Sequence, residues 1–68
     1  MNNKTPEKED IRAKFLGAYA GVPEPLRREI IVLIDGKPYT WDSAYFEIKN
    51  DTELGKIILN TLKDIGII

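Results

Sequence analysis

Cysteine and histidine are absent from this chain, and serine occurs once, at Ser43. The first absence excludes disulfides. Together the two remove the usual ligands of zinc and haem, leaving carboxylates, carbonyls and Met1. Without imidazole or thiol, the common nucleophile–base constellations have no parts. Eleven acidic residues could pair as acid and base, but the sequence offers no pocket to pair them in. The chain is therefore read as having no catalytic activity, no cofactor and no metal. Long apolar runs are also missing. The longest, Ile30–Ile34, is far short of the roughly 20 residues that span a bilayer. The start, Met1-Asn2-Asn3-Lys4-Thr5, is polar and holds no apolar signal core. A soluble, cytoplasmic protein with no membrane partner is expected. Charge of one sign is not in excess either. Ten basic residues face eleven acidic ones, for a net charge of -1. That balance argues against bulk attraction to nucleic acid, though it leaves room for a local basic patch.

What the chain does have is aliphatic bulk: 43% hydrophobic residues, including ten isoleucines, in 68 residues. That length makes one small domain, of a size that buries only about 60% of the surface its unfolded chain exposes. Its stability must come from apolar packing, with oligomerisation as the available reinforcement. Abundant Ile and Lys among dense charge suit a heat-stable protein.

Residues 1–4 read as a disordered tail and residues 5–68 as a single domain. Thr5-Pro6 is a helix start, followed by Glu7, Glu9 and Asp10 where the helix dipole favours negative charge. Ile11, Phe15, Ala18 and Tyr19 line one face, and Gly21 is the stop. Val22-Pro23-Glu24-Pro25 is a loop, after which Leu26-Arg27-Arg28 forms a helical turn or leads directly into a strand. Ile30–Ile34 reads as a strand. Asp35-Gly36 predicts a type I′ hairpin turn, with Lys37-Pro38-Tyr39 returning. That register pairs Ile34 with Lys37, Leu33 with Pro38 and Val32 with Tyr39. It places Ile30, Val32, Ile34 and Tyr39 on one face, and Ile31 and Leu33 on the other.

Trp41, Ala44, Tyr45 and Ile48 follow at i, i+3, i+4, i+7, with Thr40 as cap, and predict a helix over about 41–49. The alternative is a third strand, Ala44–Lys49, aligning only Ala44, Phe46 and Ile48. Asn50-Asp51 breaks the chain and caps a last helix with an apolar face of Leu54, Ile57, Ile58, Leu62 and Ile65. Gly55 within it allows close packing, and Gly66 ends it, letting Ile67-Ile68 fold back. The predicted fold class is α+β: an N-terminal helix, a two-stranded antiparallel hairpin and two C-terminal helices. An isolated hairpin is unstable, so the last two helices must cover one of its faces.

On the Trp41 helix, Phe46 lies about 140° from Trp41, outside the inner stripe. It is either a second-layer core residue or an exposed anchor of the kind found at interface hot spots. With Ile31, Leu33 and Tyr39 it forms the candidate partner-binding set. The expected function is a small interaction module or regulator acting on a protein partner or as a homodimer. The alternative is a nucleic-acid-associated module using Arg27, Arg28 and Lys37 with a stacking aromatic. The doublet Tyr45-Phe46, after a turn of helix, resembles the aromatic pair of sliding-clamp-binding peptides. That resemblance implies a sliding clamp as partner. The pattern departs at Tyr39 and Asp42, where such peptides carry Gln and an aliphatic residue. The chain, especially Asn50–Ile68, also resembles small uncharacterised archaeal proteins, a likeness that implies no particular activity.

Overall fold

The computed structural model describes residues 6–68, with side chains from residue 9 onward. The expected tail at 1–4 and the Thr5 cap lie outside the described residues. The element order is α1 (Pro6–Ala20), a 3-10 turn (Glu24–Arg28), β1 (Ile30–Ile34), β2 (Lys37–Thr40), α2 (Trp41–Lys49) and α3 (Glu53–Asp64). This is the α+β architecture that the sequence predicts, with a helix rather than a third strand after Thr40.

The hairpin turns at Asp35 and Gly36, with φ of 52° and 79°. Both central residues are left-handed, as a type I′ turn requires. The pairs Ile34–Lys37, Leu33–Pro38 and Val32–Tyr39 follow. The ladder then slips, and the next pair is Ile30–Thr40. Ile31 is the extra residue of a β-bulge, which reverses the side-chain alternation beyond it. Ile31 therefore joins Val32 against the core, while Ile30 turns outward beside Leu33. The expected assignment of Ile30 to the inner face and Ile31 to the outer one is corrected by this single inserted residue.

Thr40 ends β2 and opens α2. Its Oγ1 accepts from the Ser43 amide at 3.0 Å, and its own amide donates to Ser43 Oγ at 2.8 Å. This reciprocal box satisfies two donors at once. The α2–α3 joint is equally specified. Asp51 adopts φ 57°, its amide reaches Ile48 O, and the Thr52 amide reaches Glu47 O at 3.1 Å. This is a Schellman closure with an aspartate where glycine is usual. The cap of α3 is Thr52 rather than Asn50-Asp51: Thr52 Oγ1 accepts from the Gly55 amide at 2.9 Å and donates to Glu47 Oε1 at 2.7 Å. Gly55 sits against the end of α2 so closely that a β-carbon there would stand 2.5 Å from Glu47 O. The expected close packing at Gly55 is thus backbone against backbone. Gly66 (φ 84°) closes α3, and the Ile67 amide returns to Leu62 O at 2.9 Å.

The core is built from Phe15 and Ile11 of α1, Val32 and Tyr39 of the hairpin, Ala44 and Ile48 of α2, and Ile58, Leu59 and Leu62 of α3. On α3 the buried stripe is rotated from the expected one. Leu59 is buried, whereas Ile57 and Ile65 are exposed. The cause is where α1 docks: Ile11 meets α3 on the side of Lys56, Leu59 and Asn60. The flank carrying Ile57 and Ile65 is left without a covering element among the described residues. No helix among the described residues is long and apolar enough to cross a membrane.

Candidate functional site

Four of the six aromatic residues form a contacting array, Tyr39 is buried on the inner face of the hairpin, and Phe46 is the outlier. Phe15 lies 5.7 Å from Trp41 and 6.3 Å from Tyr19 between ring centroids. Tyr19 stacks on Tyr45 at 4.2 Å with the planes 4° apart. Arg27 covers Tyr19 at 4.3 Å from the ring centre. A ring at 4.2 Å already fills one face of Tyr19, so Arg27 must occupy the other. The guanidinium also donates to Val22 O at 3.0 Å and Tyr19 O at 3.3 Å, tying the 3-10 turn to the end of α1. Lys49 approaches the Tyr45 ring at 5.8 Å. The result is a run of cation, ring, ring and cation joining α1, the 3-10 turn and α2.

Tyr19 Oη donates to Asp42 Oδ1 at 2.7 Å. That hydrogen bond to the neutral phenol is the main reason the Tyr19 pKa is raised above its ordinary value; desolvation and the Asp42 charge add to it, and Arg27 opposes it.

The residues singled out in the sequence fall into three groups. Phe46 and Leu33 are each 62% exposed. Ile31 is half-buried against the core, and Tyr39 is buried. Tyr39 sits opposite Val32 on the inner face, so it belongs to the core and is not available to a partner or to a nucleobase. Of the three basic residues, Arg28 and Lys37 are exposed, while Arg27 is committed to Tyr19 and two carbonyls. The basic patch thus loses its central member. The doublet Tyr45-Phe46 is also divided. Tyr45 is locked in the stack and Phe46 faces water, so a clamp-type insertion of both rings would break the Tyr19–Tyr45 contact.

Sequence reasoning missed Ile30, which is 60% exposed. It lies in an uninterrupted aliphatic run that carries no alternation to mark its outward face. Ile57 and Ile65 were likewise assigned to the core, because a wide apolar stripe does not show which part the neighbouring helix will cover. The exposed apolar surface of the described residues therefore comprises the outer side of the hairpin (Ile30, Leu33, Pro38), the α3 flank, Phe46, Leu26 and Ile67. Between α1 and α3 a hollow lined by Ile11, Lys56, Leu59 and Asn60 has ≈ 20 Å³ of space, room for about one water. No protein-family model, no curated protein and no solved structure gives a significant match to this chain.

Proposed function

We propose that this chain is a small interaction module with no catalytic activity of its own, working in the cytoplasm on a protein partner or as a homodimer. One observation carries the reading: Phe46, Leu33 and Ile30 remain 60–62% exposed in a domain whose inner faces are already filled. A domain this small has little apolar bulk to spare. Covering these side chains gains about 25 cal/mol for each Å² of apolar surface removed from water. Their position supports the same reading. Phe46 projects from a helix capped at both ends, and Leu33 from a register-locked strand, so both are presented on rigid elements.

The test uses the full chain as bait in an extract of its native cells, beside Phe46→Ala and Leu33→Ala, with sedimentation of each protein alone. Loss of a retained partner, or of self-association, in a variant with unchanged circular dichroism is the expected result. A monomer that retains nothing would overturn the proposal.

A further inference from the structure

The two outer edges of the hairpin differ in what they offer to another strand. A two-residue type I′ turn makes the flanking pair, Ile34 and Lys37, the hydrogen-bonded one, and the pairs alternate from there. Leu33 and Pro38 therefore point their backbone groups away from each other, and after the bulge so do Ile30 and Thr40. On β2, both outward positions lack a free donor. Pro38 has no N–H, and the Thr40 amide is spent on Ser43 Oγ at 2.8 Å. On β1, the outward amides of Ile30 and Leu33 make no backbone bond outside the ladder among the described residues. The edge of β1 also carries no charge or proline along Ile30–Ile34, the usual devices that protect an edge.

We infer that the free edge of β1 pairs antiparallel with the same edge of a second copy, forming a four-stranded sheet ordered β2–β1–β1′–β2′. This rests on the interaction-module reading above and names its occupant. The bulge is what makes the strand self-complementary. It leaves two inward residues, Ile31 and Val32, between two outward ones, Ile30 and Leu33. An antiparallel twofold can then set Ile30 opposite the partner's Leu33, and Leu33 opposite the partner's Ile30. Both pairs place exposed aliphatic side chains on the same outer face, and both supply the four missing backbone bonds. A five-residue edge is small against the standard interface of about 1,600 Å², so the dimer is concentration-dependent.

Sedimentation of the full chain from micromolar to millimolar concentration, with amide hydrogen exchange, tests this. Monomer–dimer behaviour is expected, and the Ile30 and Leu33 amides should slow as concentration rises. Leu33→Lys should abolish the dimer and leave the diluted monomer's melting unchanged, because the Leu33 side chain is already in water. A monomer throughout, or a dimer in which both amides stay fast, overturns the β1 pairing. Phe46-dependent capture of another protein would then leave the interaction-module reading standing, whereas a monomer that also captures nothing removes both.

Discussion

The rings of Tyr19 and Tyr45 lie 4.2 Å apart and within 4° of parallel, although 26 residues separate them in the chain. Their contact fixes the end of α1 on α2, and Arg27 closes its outer side. An aromatic pair contributes about 0.5–1.5 kcal/mol beyond its area. Arg27→Lys should forfeit the two carbonyl bonds while keeping the charge. A loss of about 1–2 kcal/mol is expected in urea unfolding. A loss no larger than that of a surface substitution would show that the array contributes little.

The Tyr19–Asp42 bond makes a pH-dependent prediction. The folded-state pKa of Tyr19 is raised, so the folded protein holds the phenolic proton more tightly than the unfolded chain. The associated stability is fully present below the unfolded value of 10.0 and is lost as pH climbs through the higher folded one. Tyr19→Phe keeps the stack and removes the proton. The stability difference between the two proteins should therefore shrink above pH 10.0, as followed by thermal melts in alkaline buffers. An ultraviolet titration in which the missing phenol is not among the last to ionise would contradict this.

At the α2–α3 joint, two substitutions should act in opposite directions. Gly55→Ala favours the helix by about 1 kcal/mol in propensity. Its β-carbon, however, would meet Glu47 O at 2.5 Å and the Ile48 α-carbon at 3.0 Å, neither of which is a flexible side-chain end. A net loss of about 1–3 kcal/mol is expected, measured as a lower denaturation midpoint. Asp51→Gly should instead gain up to about 1 kcal/mol, because φ 57° suits glycine better than aspartate.

Phe46 and Phe15 provide an internal comparison. Phe15→Ala empties a fully buried site and should lose about 3–5 kcal/mol. Phe46→Ala removes a side chain already in water, so its effect on stability should stay within about 0.5 kcal/mol. Comparable losses in the two variants would place Phe46 in the core after all.

The parts of this fold that the sequence made legible are those fixed within a few residues. Asp35-Gly36 announces the turn, Thr40 the cap, and Gly66 the stop, because each depends on local backbone chemistry. What stayed hidden depends on distant packing. Nothing in Ile30–Ile34 marks Ile31 as the bulged residue, since all five side chains suit either face. Nothing in α3 tells Leu59 from Ile57 until α1 chooses its side. The α3 cap was misplaced by one residue because Asp51 satisfies the composition of a cap while its backbone is needed for the left-handed turn. At the candidate site, Leu33 lies on the outer face that the hairpin register predicts, and Phe46, for which the sequence left core and exposure open, is exposed. Tyr39 did not, because its place in the core and its proposed use by a partner compete for the same ring.

The Thr40 amide, taken by Ser43, has a consequence for assembly. With Pro38 beside it, it leaves β1 as the one strand edge among the described residues that can donate hydrogen bonds outward. Growth of a filament by backbone pairing needs two such edges per molecule, one to join and one to extend. Under the proposed β1 pairing, a hairpin with one closes on its twin and stops, so the capping box of a nine-residue helix would also limit how far this aliphatic strand can polymerise.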